Sequence, residues 1–132
     1  MRDRKEMGSL ELAYLGDAVY ELSVREYLVK KGAGTVGELN RKALSFVTAP
    51  AQAAAAERLL PFFTGEEAAV FRRGRNSHPK TVARHNDPGE YSLATGLEAV
   101  FGYLWLGGEG ERIAELFALC RAALEAREGQ KE

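Results

Sequence analysis

Leu10-Glu11-Leu12-Ala13-Tyr14-Leu15-Gly16-Asp17-Ala18-Val19-Tyr20-Glu21, continuing through Leu22 to Lys31, is the stretch that decides how the rest of the chain reads. Leu12, Leu15, Val19 and Leu22 fall on one stripe, with Tyr20, Val24, Tyr27 and Leu28 on its flank. That spacing predicts a helix enclosed by protein over most of its surface. One polar line crosses it: Asp17, Glu21 and Arg25, four residues apart and therefore stacked on a single face. Gly16 lies beside Asp17, and glycine within a helix costs about 1 kcal/mol relative to alanine, which points to close approach of another helix or a ligand. Two readings of the polar line stand side by side. Either Asp17 is a carboxylate presented for chemistry, or the line is a solvated stripe in which Glu21 pairs with Arg25.

Working outward, 132 residues suit a single domain spanning 1–132, large enough to bury roughly two thirds of its unfolded surface. Eighteen basic against nineteen acidic residues leave a net charge of −1. That balance argues against a basic coat over the whole molecule and makes local clustering decisive. Cys120 is the single cysteine, so no disulfide framework forms within one chain; a reducing compartment suits it, and its place is the core. Met1-Arg2-Asp3-Arg4-Lys5-Glu6 has no apolar run behind it. No stretch approaches the ~20 apolar residues needed to span a bilayer, so a cytoplasmic protein without membrane attachment is expected.

The rest reads as helix after helix. Ser9 is placed to cap the first, and Gly32 and Gly34 end it after Lys30 and Lys31. Thr35 and Glu38 form a capping box for a second helix running to about Val47. Pro50 suits a first turn, and Ala51 to Leu60 gives a third helix stopped by Pro61. Thr64 with Glu67 opens a fourth from Glu66 to about Arg75, with Phe62 placed to staple it. Asn76 to Glu90 lacks apolar periodicity and is punctuated by Pro79, Pro88 and Gly89, which reads as a long loop. Helix resumes near Tyr91 or Ser92: Leu93, Leu97, Val100, Phe101, Leu104 and Trp105 make an apolar face that ends at Gly107-Gly108. Ile113, Leu116, Phe117, Cys120 and Leu124 define a last helix, with a frayed tail from Arg127 to Glu132. No strand pattern competes, and the fold class is all-α.

Three features are candidates for chemistry. Asp17 is the first. The second is Glu98, a lone acid interrupting an apolar helix in Thr95-Gly96-Leu97-Glu98-Ala99-Val100-Phe101-Gly102. If those two helices pack together, the acids converge as a hard-oxygen site for Mg²⁺, which takes one or two protein carboxylates and fills its octahedron with water and phosphate oxygens. Against this, Glu98 is equally read as a structural acid bonded to an arginine or a helix N-terminus. The third is the segment Arg72, Arg73, Arg75, His78, Lys80, Arg84 and His85, which holds five Lys or Arg residues and no acid, with Asn76 and Ser77 in its turn. Such a segment supplies phosphate contacts to nucleic acid, arginine forks above all, or it is a solvated surface. No acid stands at ligand spacing from the histidines, which read as loop or phosphate contacts.

Leu10 to Val19, with Leu15-Gly16-Asp17-Ala18-Val19 at its centre, and Glu98-Ala99-Val100-Phe101-Gly102-Tyr103-Leu104 resemble the two active-site helices of the ribonuclease III endonuclease domain. The Ala13 to Glu21 wording and the Arg72-Arg73-Gly74-Arg75-Asn76 turn look like its Mini-III branch, and the resemblance covers essentially the whole chain. It implies an all-helical ribonuclease III fold of about six to seven helices. It also implies a homodimer that cleaves double-stranded RNA with Mg²⁺, leaving 5′-phosphates and short 3′ overhangs, and a role in maturation of large-subunit (23S) ribosomal RNA. By position Asp17 and Glu98 match metal ligands of the family, and Glu21 is taken as a supporting residue. Full-length relatives carry further acids where this chain has Ala13 and Thr95, so the acidic cluster is reduced, a trait of the Mini-III branch. No double-stranded-RNA-binding domain accompanies the catalytic one in this sequence. Arg72, Arg73, Arg75, Asn76, Lys80 and Arg84 therefore take a larger share of RNA binding, with recognition through shape, phosphates and 2′-hydroxyls. The alternative is a non-catalytic RNA-binding or ribosome-assembly module on the same fold; a purely structural helical dimer without RNA affinity is a third.

Overall fold

Glycine and threonine set most of the helix boundaries. The structure, a computed structural model, describes residues 1–77 and 87–131. Within them are a short 3-10 turn at Arg4–Glu6 and six α-helices: α1 Ser9–Lys31, α2 Val36–Val47, α3 Ala49–Leu59, α4 Gly65–Arg75, α5 Pro88–Leu106 and α6 Gly110–Lys131. A second 3-10 turn, Leu60–Phe62, links α3 to α4. No strand occurs among the described residues. No helix among them is long and apolar enough to cross a membrane.

Both expected capping boxes form. Thr35 accepts from the Glu38 N–H while the Glu38 carboxylate accepts from the Thr35 N–H, and Thr64 and Glu67 repeat the exchange at α4. Gly32 closes α1 at φ 70°, a left-handed conformation that costs glycine little. Other boundaries differ from expectation. Gly8, not Ser9, precedes α1, and its N–H is held by the Glu11 carboxylate, so Ser9 is already helical. Thr48 caps α3, which starts two residues before Ala51. The helix after the basic segment starts at Pro88 rather than near Tyr91, because Asp87 accepts from the Gly89 and Glu90 N–H groups and proline suits a first turn. Phe63, rather than Phe62, packs on Phe71, their ring centroids 5.4 Å apart; the intervening 3-10 turn leaves Phe62 exposed. At the other end α6 continues to Lys131 instead of fraying from Arg127.

α5 runs through the middle and is buried on every side from Ala94 to Leu104 except at Glu98. α1, α3 and α4 pack around it, and α6 completes the core with Ile113, Leu116, Cys120 and Leu124. Tyr20 is fully buried, edge-on to Phe101 at 5.4 Å, and its hydroxyl donates to the Phe46 carbonyl at 2.8 Å, tying α1 to α2. The enclosure of α1 is incomplete: Tyr14, Leu22 and Val29 remain exposed. Glu67 is 4% exposed and held by Arg112 at 2.8 Å, an ion pair that binds α4 to α6.

Candidate active site

The approach of α1 to α5 is set by glycine. A Cβ on Gly16 would lie 1.6 Å from the Glu98 carbonyl oxygen, and one on Gly102 would lie 2.1 Å from the Leu12 carbonyl oxygen. The two backbones touch at both points, which only a missing side chain permits. One position along α1 from Gly16 is Asp17, and the carbonyl that Gly16 admits belongs to Glu98 itself. Asp17 and Glu98, eighty-one positions apart in the chain, are thereby brought together.

Their environments differ. Asp17 is exposed and Glu98 half-buried. Burial first, then the adjacent Asp17 charge and a hydrogen bond with it, push the Glu98 carboxyl up to about 8. At neutral pH the Glu98 carboxyl is therefore favoured in its protonated form beside Asp17. Gln52 of α3 provides the remaining polar contact: its Nε2 donates to Glu98 Oε2 at 3.5 Å. Nothing in the sequence marked Gln52 beyond its being a polar residue in a run of alanines.

A pair of carboxylates that must hold a proton to coexist is a pair that a divalent cation would relieve, and hard oxygen donors suit Mg²⁺. Asp17 and Glu98 are the residues that could hold it. No group of three or more His, Cys, Asp or Glu side chains gathers at a metal-binding distance among the described residues. Ala13 and Thr95 both lie buried, and the Thr95 hydroxyl donates to the Tyr91 carbonyl at 3.0 Å. Glu21 sits one turn from Asp17, and its carboxylate accepts from Arg25 at 3.0 Å rather than joining the pair.

The basic end of α4 is packed against α5, the helix that carries Glu98. A Cβ on Gly74 would meet Ala99 Cβ and Gly96 Cα at 3.0 Å, and these residues flank Glu98 on its helix. Arg72, Arg73 and Asn76 are exposed there and Arg75 is half-buried. The Asn76 N–H caps the helix on the Arg72 carbonyl at 2.9 Å, and the Ser77 hydroxyl donates to the Arg73 carbonyl at 2.8 Å. His78, Lys80, Arg84 and His85 lie outside the described residues.

An all-helical domain whose first long helix and central helix cross backbone to backbone, with one carboxylate on each, is the architecture expected of a ribonuclease III endonuclease domain. The Ribonuclease III domain family matches residues 10–109, and the chain belongs to that family, in its Mini-III branch. It is 49% identical over 107 residues to Mini-ribonuclease 3 of Symbiobacterium thermophilum, covering 81% of this chain and 82% of that one. Mini-ribonuclease 3 of Enterococcus faecalis is 42% identical over 122 residues, covering 91% and 92%. The crystal structure of a Fusobacterium nucleatum protein superposes with a TM-score of 0.81 at 31% identity, covering 90% of this chain and 97% of that one. The activity these relationships support is that of a ribonuclease III-type endoribonuclease.

Proposed function

We propose that this chain hydrolyses double-stranded RNA with Mg²⁺ held by Asp17 and Glu98, in the maturation of large-subunit (23S) ribosomal RNA. The convergence of the two carboxylates at the α1–α5 crossing carries the reading. Bound there, Mg²⁺ would supply activation of water for attack on a phosphodiester and neutralisation of the developing charge. The chain's own residues do the rest. Asp17, on the solvent side, meets the incoming phosphate region, and Glu98 anchors the site from within. Arg72, Arg73, Arg75 and Asn76, with Lys80 and Arg84, take the duplex backbone; Glu21, paired with Arg25, shapes the charge at the edge of the site in a supporting role. A-form RNA hides its base edges in a deep groove, so selection rests on shape, phosphates and 2′-hydroxyls. The protein acts as a homodimer in the cytoplasm. Leu10, Tyr14 and Leu106 favour the dimer, since they expose apolar surface on one side of the α1 N-terminus.

The test is cleavage of long duplex RNA by the purified protein with Mg²⁺ or with EDTA, alongside Asp17→Asn and Glu98→Gln. Both replacements keep size and remove charge, so each abolishes cleavage while duplex binding and folding persist. Turnover retained in either variant removes that residue from the site. Duplex binding by the wild type without any cleavage in Mg²⁺ would favour a non-catalytic RNA-binding or ribosome-assembly module.

A further inference from the structure

Three polar or charged side chains are buried among the described residues: Gln52, Glu67 and Thr95. Two have structural partners. Glu67 is paired with Arg112 and capped onto Thr64, and Thr95 is bonded to the carbonyl one turn back on its own helix. Gln52 differs. It is 3% exposed on a helix whose other buried positions are Ala51, Ala53, Ala55, Ala56 and Leu59, and its one side-chain hydrogen bond goes to Glu98 Oε2. An apolar residue would fit the pattern of α3 at that position, whereas a buried amide must be desolvated. Among the described residues no buried side-chain oxygen or nitrogen lacks a partner. Among the described residues, the amide of this buried side chain is directed to Glu98.

We propose that Gln52 is a positioning residue for the metal site: its amide, held by α3, fixes the Glu98 carboxylate in the orientation that shares a cation with Asp17. The inference rests on the reading of Asp17 and Glu98 as the cation-holding pair. It adds a third helix to the site, so that α1 and α5 present the carboxylates and α3 sets the angle of one of them. Partners of this kind behind a metal ligand change metal affinity or activity by 10–100-fold when removed. An amide suits the role better than a third acid, since it donates to the carboxylate without adding charge to an already crowded pair.

The test uses the full chain with Mn²⁺ as the calorimetric probe and Mg²⁺ in the cleavage assay. Gln52→Leu and Gln52→Met remove the donor and keep comparable volume; Glu98→Gln is the reference for loss of the site. Both Gln52 variants should bind Mn²⁺ about 10–100-fold more weakly. They should need correspondingly more Mg²⁺ for half-maximal cleavage, while the rate at saturating Mg²⁺ stays within a few-fold of wild type. A residue that merely fills space would lower the melting temperature and leave both metal readings unmoved. If Glu98→Gln abolishes Mn²⁺ binding and the Gln52 variants bind it as wild type does, the role of Gln52 is overturned and the cation pair stands. If Glu98→Gln binds Mn²⁺ as wild type does, the cation pair itself fails and Gln52 with it. Loss of cooperative folding in both Gln52 variants also overturns the proposal, leaving a structural amide.

Discussion

Glu98 is held where a carboxylate is unfavourable, since burial and then Asp17 raise it to about 8 from an ordinary glutamate value of 4.5. Between those values the folded, cation-free protein binds more protons than the unfolded chain, so its stability falls as pH rises from about 4.5 through about 8. Glu98→Gln removes this dependence. In EDTA the variant should match wild type below the lower value and gain on it above, by an amount on the order of 1–3 kcal/mol near neutral pH. Chemical denaturation across that range reads it directly, and equal stability of the two proteins at pH 8 would show that the acid is not strained. A residue proposed for cleavage would then be one that the fold is more stable without, a balance common at functional sites. Asp17 was legible because its spacing to Glu21 and Arg25 puts it on a single face. Gln52 was not, since its meaning comes from a contact 46 positions along the chain, which no local pattern encodes.

Helices meet in this fold where side chains are missing. The Glu98 carbonyl and the Gly102 N–H opposite Gly16 are backbone atoms and cannot swing aside, so a methyl group there forces α1 and α5 apart. Gly16→Ala should therefore destabilise the protein by roughly 1–3 kcal/mol or more. Because the displaced carbonyl is that of Glu98, cleavage should fall further than the change in folded population explains. Gly65→Ala is the control: no atom lies within 4 Å of its added Cβ and φ is not positive, so stability and cleavage should stay near wild type. Thermal melting and cleavage well below the transition measure both, and a Gly16→Ala protein as active and stable as wild type would remove the close crossing from the argument. Gly16 was readable in advance as a close approach, since helix-interior glycine is costly. What it approached was not, and neither was Thr48 as the cap of α3, where Pro50 drew the boundary too late. Asp87 and Pro88 were likewise taken for loop residues, although aspartate followed by proline is also how a helix starts.

Over the whole molecule, two features bear on RNA and both concern surface. Tyr14 is 86% exposed, with Leu10 and Leu106 half-exposed beside it. A large apolar cluster of that kind is usually covered, and pairing with a second copy would place two sites on one duplex. Wild type should sediment as a dimer at micromolar concentration and Tyr14→Asp as a monomer; a monomeric wild type contradicts the assembly.

Charge is the other feature. With a net charge of −1, the protein as a whole has no attraction for a polyanion, so duplex affinity has to come from a local patch. Arg72, Arg73 and Arg75 cluster in the last turn of α4, which Gly74 presses onto α5 at Gly96 and Ala99. If these arginines take phosphates, grip and chemistry share α5, since α4 packs on the helix that carries Glu98. Replacing Arg72, Arg73 and Arg75 by alanine, singly and together, should weaken binding with little change in sequence preference. Each lost phosphate contact should shallow the plot of log affinity against log salt by roughly 0.7–0.9 units, the range bracketed by single strands and B-form DNA. Cleavage at saturating RNA should survive, because Asp17 and Glu98 sit on other helices. Affinity for duplex RNA in EDTA over a salt series decides the matter: a slope in the triple variant equal to that of wild type would mean that these arginines are a solvated helix end and that the duplex is gripped elsewhere.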